Sequence, residues 1–312
     1  MPMTLDTSFH LPVLLQETIE GLSVTRNKKY IDATLGGGGH SLEIIKSGGV
    51  LLGIDQDIEA IKYFTKLLND SNLQNLISNK IFLVQDNFVH LKKIAEKNGF
   101  KKTSGILFDL GVSSYQISTP TRGFSYLDAQ ELDMRMDQRT SLTAKEIINK
   151  FKAEELYEIF TTYSEELYSR TIADAIIRAR ALKKILTGSD LVEILKNILS
   201  KINAGMPDYK FEKLLLKTSA RIFQALRIRV NNELDYLKVA LDQALELLDF
   251  NGRLAVISYH SLEDRIVKIK FREWERCDKV KLINRQPIIS SVFEQQSNHK
   301  SRSAKLRIAA KL

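Results

Sequence analysis

The chain has 312 residues, 44% of them apolar and 27% charged, enough to bury one large core or an α/β domain with a smaller companion, which excludes a disordered chain. Its single cysteine, Cys277, rules out an internal disulfide. No run of about 18 apolar residues occurs, and the opening MPMTLDTSFH lacks the basic and apolar stretches of a secretion signal, so a soluble cytoplasmic protein without a membrane partner is expected.

From residue 30 short apolar runs alternate with amphipathic ones. YIDATLG (30 to 36), VLLGID (50 to 55), IFLVQD (81 to 86) and GILFDLG (105 to 111) read as strands, with helices in HSLEIIKS, IEAIKYFTKLLND and FVHLKKIAEKNG between them. Continuous apolar strands separated by helices predict a parallel sheet covered on both faces, one half of a doubly wound, Rossmann-like fold. After Pro120 the pattern turns helical through AKEIINKFKAEELYEIFTTY, ELYSRTIADAIIRARALKK and SDLVEILKNILSKI, which predicts an inserted all-helical subdomain over 118–217. The α/β rhythm returns with one long helix from Ser219 to Leu248, a strand at 252–260, a helix from Ser261 to Trp274 and a last strand at 305–312. The main domain is therefore discontinuous, 1–117 and 218–312. The formal charge of +8 is concentrated near its end: between Arg265 and Lys311, 13 lysines and arginines face Glu273, Glu275, Asp278 and Glu294. That segment is either a solvated basic surface or a face for a polyanion such as RNA.

The first strand runs into Gly36-Gly37-Gly38-Gly39-His40 and then directly into a helix, which leaves backbone N–H groups open to a ligand. Asp55 ends the second strand, where a carboxylate accepts hydrogen bonds from both hydroxyls of an adenosine ribose; Asp57 is better placed than Asp55 to cap the following helix. Ser41 stands where a G-x-G-x-x-G loop has its last glycine, so a pyrophosphate cradle is disfavoured and S-adenosylmethionine is preferred over a dinucleotide. Gln85-Asp86-Asn87-Phe88 ends the third strand and suits an adenine edge and face. Asp109 ends the fourth, open either to the positive charge of the cofactor or to the acceptor. In an open α/β sheet these carboxyl ends converge on one crevice.

Beyond these features, HLPVLLQE (10 to 17), YIDATLGGGGHS (30 to 41), GIDQD (53 to 57), ILFDLGVSSYQ (106 to 116), RGFSY (122 to 126), LDMRMD (132 to 137), FQALRIRVNNEL (223 to 234), ISYHSLEDRIVK (257 to 268) and RSAKLRIA (302 to 309) follow one another over nearly the whole chain. In these stretches the sequence resembles the bacterial 16S ribosomal RNA cytosine N4-methyltransferases, the MraW or RsmH family. DLGVSS and HSLEDR are not general methyltransferase features. The resemblance implies a Rossmann-like class I S-adenosylmethionine-dependent methyltransferase fold with a helical insertion that recognises substrate. It implies cofactor binding by Gly38, Gly39, His40, Asp55, Phe88, Asp109 and Gln116, and a substrate in 16S rRNA of the small ribosomal subunit. The chain departs from the family pattern at Ala129-Gln130-Glu131, at Ser219-Ala220 and at His299, none of them in the cofactor set.

The reaction so implied moves a sulfonium methyl to the exocyclic amine of cytosine, a poor nucleophile whose lone pair is delocalised into the ring. Alignment and an acceptor for its N–H groups are what an enzyme supplies. Asp109 is the candidate for that acceptor, and the Ser113 and Ser114 region shapes the pocket. His260 and Ser261 invite a catalytic reading, but Ser261 as helix cap with Asp264 as its acidic partner is preferred. Phe124 and Tyr126 are either base platforms or core aromatics, and Arg221, Arg227 and Arg229 are candidates for phosphate contacts. His10 has no partner at metal-ligand spacing, and no metal is expected. A methyltransferase for a small molecule or protein, or a non-catalytic RNA-binding factor, shares the cofactor loop; the basic C-terminal segment and the intact loop with Asp55 argue against each in turn.

Overall fold

The computed structural model describes residues 12–70, 81–126 and 130–312; His10 and Ala129 lie outside them. The chain divides into two compact units, Met1–Ser113 with Leu234–Leu312, and Ser114–Glu233.

The first unit is built on a seven-stranded sheet of β1 (Lys29–Asp32), β2 (Val50–Asp55), β3 (Ile81–Gln85), β4 (Thr103–Asp109), β5 (Leu248–Ser258), β6 (Val280–Leu282) and β7 (Lys305–Lys311) in the order β3-β2-β1-β4-β5-β7-β6. β1 to β5 pair parallel, whereas β7 runs antiparallel to both β5 and β6. The order reverses between β1 and β4, the switch point where a doubly wound sheet opens a crevice beyond its strand ends. Ile31, Leu52, Ile54, Ile106, Phe108, Leu254 and Val256 fill one face of the sheet and Tyr30, Leu51, Leu107, Ala255 and Ile257 the other. Strands buried on both faces read as continuous apolar runs, which is why the four leading strands are visible in the sequence. β6 is not visible. It is three residues long, and its ladder with β7 supplies what its own sequence does not.

The second unit is all-helical, with Leu156, Phe160, Ile172, Leu195, Ile222 and Phe223 in its core. The helical period over AKEIINKFKAEELYEIFTTY predicts one stretch, but Ala144–Lys150 and Ala153–Ser164 are separate helices, divided at Phe151, whose backbone is extended. Phe124 and Tyr126 pack on this core, the Tyr126 ring meeting Phe223 edge-on at 5.9 Å, which favours the core reading of both.

The predicted helix from Ser219 to Leu248 is two helices, Asp208–Asn231 and Glu233–Leu247. Asn232 between them takes a left-handed backbone, φ 49°, a conformation asparagine tolerates better than most side chains. The first helix runs unbroken through position 218, so the boundary expected there falls instead between Glu233 and Leu234, just past the break at Asn232. Among the described residues, no helix is long and apolar enough to cross a membrane.

Candidate active site

The glycine run follows β1 as a tight turn whose last αL residue opens the next helix. Gly38 has φ 74° and its N–H donates to the Leu35 carbonyl at 2.7 Å, and the helix begins at Gly39. A Cβ on Gly38 would fall on the Phe64 ring, so glycine is required by both backbone and packing. Asp32, buried at the end of β1, ties both sides of the loop: Oδ1 accepts from Thr34 N at 3.1 Å and Oδ2 from Ser41 Oγ at 2.7 Å. Burial raises its pKa against those hydrogen bonds.

Asp55 sits one strand over, at the end of β2. Its Oδ2 accepts from Gly36 N and its Oδ1 from Asp57 N, both at 2.8 Å, so the carboxylate is locked onto the glycine loop with lone pairs still open. Asp57 caps the helix Ile58–Asp70 through Glu59 N at 3.1 Å, as its position predicts. At the end of β3, Asn87 caps a short turn through Val89 N, and the Phe88 ring is held edge-on to Phe108 at 5.7 Å.

Asp109 ends β4. Its N–H donates to Thr34 Oγ1 at 2.6 Å, joining β4 to β1. Its Oδ1 accepts from the Tyr259 hydroxyl at 2.7 Å, and its Oδ2 faces His40 Nδ1 at 3.6 Å. The His40 ring is buried with Nε2 at 3.0 Å from the Val13 carbonyl; a bond to a carbonyl places the proton on Nε2 and turns a bare Nδ1 toward Asp109. Burial lowers the His40 pKa, consistent with a neutral ring. Burial pushes both Asp55 and Asp109 up to about 7, opposed at Asp55 by the backbone N–H groups of Asp57 and Gly36, and at Asp109 by the Tyr259 hydroxyl and the charge of Lys300.

Gly38, Gly39, His40, Asp55, Phe88 and Asp109 thus gather at one edge of the sheet unit. Gln116 belongs to the helical unit, buried in the short helix Ser114–Ser118. The donor set has a clear chemical preference. Carboxylates at 32, 55 and 109 repel a diphosphate, whereas Asp55 and Asp109 offer acceptors to ribose hydroxyls and to positive charge. A cationic nucleoside fits such a set, as the absence of a G-x-G-x-x-G loop predicts.

The helix after β5, Ser261–Arg276, is capped one residue earlier than expected. His260, not Ser261, is the N-cap: Glu263 Oε2 accepts from Tyr259 N at 2.8 Å and His260 N at 3.3 Å, while His260 Nδ1 accepts from Glu263 N. Asp264 is drawn away to Arg307, whose Nε donates at 2.7 Å and whose Nη2 donates at 3.3 Å. Burial alone would raise Asp264, yet that guanidinium holds its pKa below the usual carboxylate range.

Of the three arginines expected to contact phosphates, two are paired with carboxylates. Arg227 is held bidentate by Glu233 at 2.9 and 2.8 Å, and Arg221 reaches the buried Glu166 at 3.2 Å while staying half exposed; Arg229 lies over the Phe151 ring. In the C-terminal segment Lys270, Lys305, Arg307 and Lys311 are tied to acidic groups or carbonyls, whereas Arg272, Arg276, Lys279, Lys281, Arg285 and Arg302 are exposed.

Residues 7–312 match the model of the MraW methylase family. The chain belongs to the MraW methylase family. It is 42% identical to the ribosomal RNA small subunit methyltransferase H of Clostridium botulinum (strain 657 / Type Ba4), over 97% of this chain and 99% of that protein. It is 44% identical to the ribosomal RNA small subunit methyltransferase H 1 of Acholeplasma laidlawii (strain PG-8A) over the same shares. As an MraW methylase the chain is an S-adenosylmethionine-dependent methyltransferase of Rossmann-like fold, as its loop, its Asp55 and its motif order predict.

Tyr259 and Lys300 escaped sequence reasoning. The only signal for the tyrosine is its place at the end of a strand next to HSLEDR. Its contact with Asp109 follows from strand register, since Ile257, two positions earlier, pairs with Asp109.

Proposed function

We propose that this MraW methylase transfers the methyl group of S-adenosylmethionine to the exocyclic N4 amine of a cytidine in 16S rRNA of the small ribosomal subunit, in the cytoplasm. One observation carries the reading: the glycine loop with Asp55 and the end of β4 with Asp109 lie side by side at the sheet's switch point, joined through Thr34. The relatives named for ribosomal RNA methylation over their whole length support the substrate class.

In this reading Gly38, Gly39 and His40 border the amino-acid end of the cofactor, Asp55 accepts from the ribose hydroxyls and Phe88 lies against the adenine. S-adenosylmethionine supplies an electrophilic methyl on a sulfonium. Asp109 accepts an N–H of the amine and so holds its nitrogen in line as positive charge develops there. The helical unit recognises substrate, and Arg272, Arg276, Lys279, Lys281, Arg285 and Arg302 meet phosphates. On that assignment RNA affinity falls about three-hundredfold or more between about 50 and about 200 mM salt; an affinity insensitive to salt removes the phosphate contacts.

The direct test is incubation with labelled S-adenosylmethionine and small subunits from cells lacking the enzyme, followed by mapping of the methylated nucleotide. N4-methylcytidine in 16S rRNA is expected; label only in protein, or none, overturns the proposal.

Cofactor binding is also expected to release protons. Asp55 and Asp109, at about 7 in the free protein, carry protons below that pH, while ribose hydroxyls and a cationic ligand favour their ionised forms. Affinity for S-adenosylmethionine therefore rises from about pH 5 to about pH 7 and then levels, and its thermal stabilisation is larger at about pH 8 than at about pH 6. Calorimetry near pH 6.5, in buffers of differing ionisation heat, reads the released protons; identical heats and a flat affinity contradict the assignment.

A further inference from the structure

We propose that Tyr259 is a positioning residue for methyl transfer: its hydroxyl occupies Oδ1 of Asp109 and thereby holds Oδ2 toward the crevice as the acceptor for the amine. The inference rests on the reading of Asp109 given above.

The geometry begins with register. Asp109 pairs with Ile257, and Tyr259 stands two residues further on, so the two-residue period of a strand puts Tyr259 and Asp109 on one face of the sheet. The phenol donates to Asp109 Oδ1 at 2.7 Å. The tyrosine is held in two ways: its backbone N–H donates to Glu263 at 2.8 Å, and its ring packs against the core that contains Leu107, Ala255 and Ile257. A free aspartate can turn either oxygen toward a substrate and rotates between the two. With Oδ1 engaged that rotation is stopped, and Oδ2, at 3.6 Å from His40 Nδ1, keeps an open lone pair on a side chain that is 23% exposed.

The groups facing Asp109 come from four further parts of the fold. His40 approaches from the helix of the glycine loop, Tyr259 and Glu263 from the turn and helix after β5, and Lys300, which donates to the Val112 carbonyl at 3.3 Å, from the C-terminal turn His299–Ser303. Asp32 adds a buried carboxyl from β1. Of these, Tyr259 donates a hydrogen bond directly to the Asp109 side chain. Burial and the neighbouring carboxylate raise the phenol's own pKa, so it stays a donor over the working range. A donor of this kind favours the ionised carboxylate, the form that accepts an N–H.

The test is single-turnover methylation of unmodified small subunits at saturating S-adenosylmethionine, from about pH 5.5 to about pH 9. Tyr259→Phe is expected to lower the plateau rate about tenfold, to leave cofactor affinity within about twofold, and to move the acid limb up by about one pH unit. A ring-fluorinated tyrosine at 259, which keeps the shape and strengthens the donor, moves the limb down. A merely structural role lowers the rate without moving the limb, and superimposed profiles for wild type and Tyr259→Phe overturn the proposal. A wild-type protein that makes no N4-methylcytidine refutes the functional reading instead. The Asp109 carboxyl resonance, recognised by its loss in Asp109→Asn, then decides the positioning role: it titrates higher in Tyr259→Phe, and coincident titrations overturn it.

Discussion

Replacing Asp55 with alanine is expected to lower the affinity for S-adenosylmethionine by about a hundredfold or more. Two hydrogen bonds from ribose hydroxyls to a carboxylate contribute about 1.5 to 3 kcal/mol each, and together they account for a loss of that size. A second effect adds to it. Both Asp55 oxygens already hold backbone N–H groups, of Gly36 and Asp57, so the substitution frees the glycine loop from the end of β2 while removing the ligand's acceptors. Asp55→Asn separates the two contributions, because its amide oxygen still accepts from one backbone group while the charge is gone. Calorimetric titration measures both variants. A dissociation constant within about threefold of wild type in Asp55→Ala shows that the ribose lies elsewhere.

That site was legible because its determinants are local. A strand, a glycine turn and a helix start follow one another within twelve positions from Lys29 to His40, and Asp55 lies at the next strand end; neither depends on knowing which distant segments meet. The four leading strands were legible for the same reason, each being a continuous apolar run. What the sequence hid depends on contacts between remote segments. β6 exists through β7, about 25 residues later. Glu263 rather than Asp264 completes the cap of its helix because Arg307, 43 residues away, claims Asp264. Tyr259 meets Asp109 across 150 residues through the pairing of β4 with β5. The helix break at Asn232 was hidden differently: the apolar period continues on both sides of it, and only a left-handed backbone marks the turn.

Asp109 is the residue on which local and remote determinants converge, and its removal has the second large effect expected. Asp109→Ala should lower the single-turnover rate by about a hundredfold, the scale found when a preorganised polar contact to a developing charge is deleted. Cofactor affinity should stay within about tenfold, because Asp55 and the glycine loop remain in place. The variant also leaves the half-buried Tyr259 hydroxyl without its carboxylate, a stability loss of about 1 kcal/mol that thermal unfolding registers. Asp109→Asn distinguishes charge from packing: its amide oxygen still accepts from Tyr259, so stability returns, but a neutral side chain neither titrates nor stabilises positive charge on the amine. In wild type the rate falls as the Asp109 carboxyl takes up its proton, at a pH below the value of about 7 that it has in the free protein because the bound cation favours its ionised form. If Asp109→Asn is slow at every pH and that limb is gone, the limb belongs to Asp109; if the limb persists at near-native rate, the acceptor of the amine proton is another group.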